Sequence, residues 1–199
     1  MTGRLHNTKC YLVGPIEQDS NPDSWRNKVT EKLNKLGVRV YDPLKKPNWA
    51  PQLTVMNKNN FLKALNDDHI NDEARASHDA MHWIRDIDRR FVQDADFIIC
   101  YMPKIFSSGT GEEITIASDM NKPILIYNDD DELVPSSWLA CMLCRDVEEI
   151  KETFFPSMEA ITEYLGKVDN NEVEIDPFKW VFLSYFLKDT KVKNVKHNY

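Results

Sequence analysis

Cys10-Tyr11-Leu12-Val13-Gly14-Pro15 is answered, a little further along the chain, by Val38-Arg39-Val40-Tyr41-Asp42-Pro43. Each is a short, largely apolar burst closed by a turn-forming pair, the pattern of a buried strand that ends in a turn. Between them, Asn21-Pro22-Asp23-Ser24 supplies a helix start, and Trp25, Val29, Leu33 and Leu36 recur at helical spacing. Gly37 supplies the stop. Strand, helix and strand in that order make the βαβ unit of a parallel sheet.

The pattern repeats downstream. A helix is expected from about His78 to Asp94, followed by the strand Phe97-Ile98-Ile99-Cys100-Tyr101. A second helix opens near Gly111 and ends by Asn121, before the strand Pro123-Ile124-Leu125-Ile126-Tyr127. Further helices are expected over Ser137 to Leu143 and Pro156 to Leu165. The expected fold is therefore α/β, a three-layer Rossmann-like or flavodoxin-like parallel sheet with helices on both faces. Residues 1–168 form that domain, with an insertion at about 44–77 that holds a short helix at Phe61 to Leu65. Residues 169–199 read as a C-terminal extension, docked on the body or at a dimer interface. Its amphipathic stretch Pro177 to Leu187 is expected to be a helix used in dimer packing.

Composition narrows the class of protein. Of 199 residues, 32 are Asp or Glu and 25 are Lys or Arg, a formal charge of -7. That balance argues against a partner such as duplex nucleic acid or an anionic membrane, since both need a basic footprint. No apolar run approaches the roughly 20 residues that span a bilayer. The polar opening lacks the apolar core of a signal peptide, and four Cys are too few for a disulfide scaffold, so a cytoplasmic location is expected. The hydrophobic fraction of 42% is ample for a core, and a small-molecule partner remains open.

Two carboxylates stand where apolar residues would be expected. On the helix before the third strand, Ile84, Ile87, Phe91 and Ala95 define the buried stripe, and Asp88 falls inside it. On the next helix, Glu113 shares a face with Ala117 and Met120. An ionised carboxylate on an apolar face costs free energy unless something pairs with it. If that helix opens near Gly111, Glu113 lies in its first turn, where free amides favour an anion. The turn follows a strand, at the edge of the sheet where open α/β folds bind ligands. Ser107-Ser108-Gly109-Thr110-Gly111 leads in with small residues that let a ligand approach the backbone. The structural alternative is that Glu113 caps its helix and Asp88 is paired with an Arg.

The order of motifs adds to this. Asp88 and Asp96, an apolar strand, then Ser108-Gly109-Thr110-Gly111-Glu112-Glu113-Ile114-Thr115-Ile116-Ala117, resemble the nucleoside 2-deoxyribosyltransferase-like superfamily. Tyr11-Leu12-Val13-Gly14-Pro15-Ile16, Trp25-Arg26, Tyr41-Asp42-Pro43 and Lys122-Pro123 are similar to its other signatures. The resemblance covers roughly residues 9 to 143. It implies an enzyme that breaks the N-glycosidic bond of a (deoxy)nucleoside or nucleoside 5′-monophosphate, as transferase or hydrolase, without a cofactor or metal. By the same resemblance Glu113 matches the nucleophile, Asp88 the residue that assists the leaving base, and Tyr11 a residue lining the sugar. Gly14, Ser107, Ser108, Gly109 and Gly111 would line the substrate. A homodimer or higher homo-oligomer is also implied. The chemistry suits these types: positive charge builds at C1′, and the departing base needs a proton. Glu113 is expected to stay ionised and Asp88 to hold the proton. Base-transferring members carry an aspartate where Ser107 stands, which points toward hydrolysis and a 5′-phosphate held by Ser107 and Ser108.

Two other readings stay open: a phosphoribohydrolase of the Gly-Thr-x-x-Glu type, suggested by Gly109 to Glu113, and a nucleotide-binding or sensing module without turnover. Cys141-Met142-Leu143-Cys144 lacks a second pair for zinc and reads as a buried helical pair. His78 and His82 lack a third ligand. Asp129-Asp130-Asp131-Glu132 lacks the spacing of a calcium loop. Arg26 is read as solvated, with a phosphate contact as the alternative, and Trp49 as packing rather than base stacking.

Overall fold

In the computed structural model, which describes residues 3–16, 21–46, 72–103, 107–129 and 136–184, the chain alternates strands and helices as the periodicity predicts. Strand β1 (Lys9–Val13) is joined through helix α1 (Asp23–Lys35) to β2 (Arg39–Tyr41). The long helix α2 (Asp72–Asp94) leads to β3 (Phe97–Met102), and α3 (Ser108–Asp119) leads to β4 (Ile124–Asn128). Two short helices, α4 (Ser137–Leu143) and α5 (Val147–Thr153), precede β5 (Phe154–Phe155), and α6 (Met158–Asp169) follows it. The strands pair in parallel in the order β2-β1-β3-β4-β5. This is the flavodoxin-like order, whose direction of winding reverses between β1 and β3.

The inner strands read as continuous apolar runs because both faces are covered. Cys10, Leu12, Phe97, Ile99 and Leu125 point to one side and pack with Val29 and Leu33 of α1 and Ile161 and Leu165 of α6. Tyr11, Val13, Ile98, Cys100 and Ile126 point to the other, against Val92 of α2 and Ile114 and Ala117 of α3. Gly37 ends α1 in the left-handed region at φ 75°, and a Cβ there would sit 2.6 Å from His6 Cδ2.

Several boundaries differ from the sequence reading. Helix α2 starts at Asp72 rather than His78, so residues 72–77 belong to the helix and not to an insertion. Its opening turns expose Arg75 and Ala76 and so carry no apolar period. Helix α3 starts at Ser108 rather than near Gly111, because the Ser107 hydroxyl caps it by accepting from the Thr110 amide at 3.2 Å. Helix α6 runs over Met158–Asp169, later at both ends than expected. Helix α5 and the two-residue β5 carried too little pattern to be read.

Over residues 177–183 the chain forms a turn and a 3-10 segment, Val181–Leu183, where an α-helix was expected; the last residues of that expected helix, 185–187, lie outside the described residues. Trp180 and Leu183 are buried in the α1/α6 core, with the Trp180 ring 5.9 Å from Phe97. Trp49, Phe61 to Leu65, Asp130 to Glu132 and everything after Ser184 lie outside the described residues. Among those described, no helix is long and apolar enough to cross a membrane.

Candidate active site

Four segments meet at the carboxyl edge of β1 and β3, the point at which the winding reverses. Tyr11 lies within β1, and because side chains alternate across a strand it faces the α2/α3 layer together with Val13. Its ring is fully buried, and its hydroxyl donates to Glu113 Oε1 at 2.7 Å. Behind it, Phe91 stacks on Tyr41 with ring centroids 5.0 Å apart, filling the space between α2 and the sheet edge.

Glu113 is in the second turn of α3, not the first, since the helix begins at Ser108. The expectation of a carboxylate held by free helix amides is thereby overturned. Burial pushes the Glu113 carboxyl up to about 8; the Tyr11 hydrogen bond opposes this, the nearby Asp88 reinforces it, and Lys46 and Arg26 oppose it. The expectation that Glu113 stays ionised is therefore also not what these surroundings give.

Asp88 projects from α2 toward the same place. Burial raises its carboxyl above the usual aspartate range, against the pull of Lys46, of the nearby Tyr11 hydroxyl and of Arg26. The Asp88 partner is a lysine rather than an arginine: Lys46 Nζ stands 2.8 Å from Oδ1 and 3.1 Å from Oδ2. Lys46 comes from the turn after β2 and had no signal of its own in the sequence.

Between these acids and the start of α3 lies a cavity of about 550 Å³. Gly14, Asp88, Ser107, Ser108, Gly109 and Glu113 line it. Tyr11 supports Glu113 from behind the wall, and Gly111 is half-buried in the first turn of α3, away from the lining. Gly14 is where the backbone packs tightly: an added Cβ would lie 3.0 Å from the Tyr101 carbonyl oxygen and 3.1 Å from Trp25. Among the described residues, nothing lies within 4 Å of such a Cβ at Gly109. The Ser107 hydroxyl also meets Thr110 Oγ1 at 2.8 Å, so it is engaged by its own helix.

The opposite wall holds Met81 and Ile84, apolar, with Arg85 and Arg89 beside them. Both arginines turn to Glu112: Arg85 Nε donates to Glu112 Oε2 at 2.9 Å and its Nη2 to Oε1, while Arg89 Nε stands 3.8 Å away. These cations were missed because an Arg on a helix reads as a solvated residue.

Arg26 is neither solvated nor on the cavity wall. It is fully buried, donating to the Pro22 carbonyl at 2.7 Å and the Gly14 carbonyl at 2.8 Å, with Asp42 at 3.8 Å. Arg26, Asp42 and the Gly14 carbonyl thus belong to one buried assembly that fixes the turn after β1.

Of the Cys pair, Cys144 is buried and Cys141 exposed, so it is not a buried pair. Among the described residues no group of three His, Cys, Asp or Glu could hold a metal. His78 and His82 are exposed on α2 with rings 4.5 Å apart.

A family model described as nucleoside 2-deoxyribosyltransferase matches residues 10–172. A solved 2-deoxyribosyltransferase from the psychrotolerant bacterium Bacillus psychrosaccharolyticus is similar at 14% identity and a TM-score of 0.43, covering 74% of this chain and 99% of its own. No curated protein matches.

Proposed function

The chain belongs to the nucleoside 2-deoxyribosyltransferase family, and on that premise we propose that it breaks the N-glycosidic bond of a (deoxy)nucleoside or nucleoside 5′-monophosphate with Glu113 as nucleophile. The observation that carries this reading is the convergence of Glu113 and Asp88 on one cavity, with the Tyr11 hydroxyl on Glu113 at 2.7 Å.

In the proposed reaction a Glu113 oxygen bonds to C1′ as the C1′–N bond breaks, and the bonding pair leaves with the base. The base nitrogen takes the proton held by Asp88. Water or a second base then attacks C1′, restores the Glu113 carboxylate and returns its proton to Asp88. At rest the buried pair retains a proton at neutral pH, since burial raises both carboxyls. A sugar carbon gaining positive charge beside Glu113 favours its anion, and so favours passing that proton to the base side. Tyr11 steadies the attacking carboxylate, and the apolar surface of Met81 and Ile84 offers a face for the base or sugar.

Arg85, Arg89 and Ser108 on the same cavity supply cations and a hydroxyl suited to a 5′-phosphate. Together with Ser107 at the place where base-transferring members carry an aspartate, they favour a monophosphate hydrolysed by water.

Mass spectrometry of free base tests all three levels. The protein is incubated with nucleosides and their 5′-monophosphates, with and without an acceptor base, beside Glu113→Ala. Base release by the wild type and none by a folded Glu113→Ala is the expected result. Release confined to monophosphates and indifferent to acceptor marks a hydrolase, and new nucleosides formed only with acceptor mark a transferase. Full activity in Glu113→Ala, or tight nucleotide binding with no base released, overturns the reading.

A further inference from the structure

The Lys46 side chain has no solvent exposure, yet it ends in an ammonium beside the cavity. Burying a charged amine is costly unless charge and hydrogen bonds compensate it. Here they do: Nζ stands 2.8 Å and 3.1 Å from the two Asp88 oxygens and donates to the Pro43 carbonyl at 3.1 Å. The segment that carries Lys46 begins with Tyr41-Asp42-Pro43, whose Asp42 accepts from the Leu44 amide at 3.0 Å and faces the buried Arg26. Arg26 in turn holds Gly14, on the cavity wall, through its carbonyl. The charges therefore alternate along the carboxyl edge of the sheet, Arg26 against Asp42 and Lys46 against Asp88. Glu113, at the end of this line, has the Tyr11 hydroxyl as its hydrogen-bond donor.

We propose that Lys46 is a positioning residue of this site: its buried ammonium fixes the orientation of the Asp88 carboxyl and sets the pH range over which the Asp88–Glu113 pair can both attack C1′ and protonate the base. The inference rests on the reaction proposed above. A carboxyl that must lend a proton and take it back needs a fixed geometry and a midpoint near the working pH. Burial alone drives both acids up until the pair carries its protons too tightly and Glu113 cannot attack. A single cation in contact with Asp88 and within reach of Glu113 lowers both. Among the described residues, the groups that face Asp88 from the packed elements are Tyr11 of β1, Arg26 of α1, Lys46 of the turn after β2 and Glu113 of α3. Of these, Lys46 stands in direct ionic contact with it. Lys46 touches no reacting atom in this scheme, so its effect passes through Asp88.

The test uses the full chain with Lys46→Met, Lys46→Gln and Lys46→Arg. The Asp88 carboxyl is followed by carbon NMR across pH, its signal assigned by loss in Asp88→Asn. Base release by the same proteins is measured as a pH profile. In the two neutral variants the Asp88 midpoint is expected to rise by roughly one to three pH units. The kcat/KM profile should move to higher pH with it, lowering the rate at neutral pH by about tenfold or more. Lys46→Arg should keep both near the wild type. Should Lys46→Met not fold, Lys46→Gln, which can still hydrogen-bond Asp88 and the Pro43 carbonyl, carries the same expectation.

An unmoved Asp88 midpoint in a folded neutral variant overturns the inference, as does a loss of rate that is uniform across pH. Absence of base release from the wild type instead overturns the proposed reaction, and the NMR midpoints still decide whether Lys46 governs Asp88.

Discussion

Tyr11 and Glu113 are 102 residues apart in the chain and meet at 2.7 Å, a strand hydroxyl donating to a helix carboxyl. Burial holds the Tyr11 phenol well above its ordinary value, so it remains a donor throughout the neutral range. Its bond favours the charged form of a carboxyl that burial otherwise pushes up to about 8. Tyr11→Phe removes that bond together with the weaker pull of the hydroxyl on Asp88. Glu113 should then titrate higher still, and the acid limb of kcat/KM should move to higher pH. Each whole pH step of that movement should lower the rate at neutral pH by about tenfold. The lost bond should cost about 1 kcal/mol of stability. A Tyr11→Phe enzyme with the wild-type pH profile would show that the hydroxyl does not act on the nucleophile.

Glu113 also makes stability depend on pH. Its folded value of about 8 lies above its ordinary value of 4.5, so folding takes up a proton between the two. The stability this group contributes is fully present below the unfolded value and is lost as pH rises toward 8. Glu113→Gln stays neutral and nearly the same shape. Urea unfolding should therefore find the variant more stable than the wild type by a few kcal/mol above pH 8, the two converging toward pH 4. Parallel stability curves for the two proteins would mean that the carboxyl is ionised in the folded state as easily as in the unfolded one.

Arg26 and Asp42 tie the ends of β1 and β2 together inside the protein, both almost without exposure. Removing one member of a buried pair leaves the other charge uncompensated. Arg26→Met leaves the buried Asp42 to the half-exposed Lys45, 3.6 Å away, and also frees the Gly14 and Pro22 carbonyls, and should cost roughly 3–5 kcal/mol in denaturant unfolding. Arg26→Lys should recover only part, because one ammonium cannot reach both carbonyls in the geometry of the guanidinium fork. A change of under about 1 kcal/mol for Arg26→Met would mean that the pair is held together by the packing around it.

Much of this was legible in the chain because two periods dominate it. The runs of β1, β3 and β4 and the stripe Trp25, Val29, Leu33 could only be strands buried on both faces and a helix packed on them, and the sheet has that form. Asp88 and Glu113 stood out because a carboxylate on an apolar face needs a reason. What sequence could not supply was the environment of those acids. Helix α3 starts three residues earlier than its apolar pattern does, since Ser107 caps it through a hydroxyl and not through hydrophobicity, and this moved Glu113 off the helix terminus. Lys46 and Arg26 look like surface cations in a polar turn and a helix start. Only the closing of the βαβ unit brings them inward, which no local pattern records.

Arg85 offers the sharpest separation between substrates. At rest its guanidinium lies against Glu112 on the wall of the cavity, half exposed, so the pair is screened and exchangeable. A phosphate accepts from such a fork at least as well as a carboxylate and brings more charge. If the substrate carries a 5′-phosphate on this wall, Arg85→Gln should reduce kcat/KM for a nucleoside 5′-monophosphate by about tenfold or more, the magnitude of a charge-assisted hydrogen bond. The corresponding nucleoside has no group for Arg85 to hold, and its kcat/KM should stay within about twofold. Glu112→Gln should act in the opposite sense for the monophosphate, because it frees both Arg85 and Arg89 from their resting partner. Equal losses on nucleoside and monophosphate would place Arg85 in the packing of α2 on α3. A gain on the monophosphate alone in Glu112→Gln would place the phosphate on this wall, and loss of that gain in the double variant Arg85→Gln/Glu112→Gln would identify Arg85 rather than Arg89 as its partner.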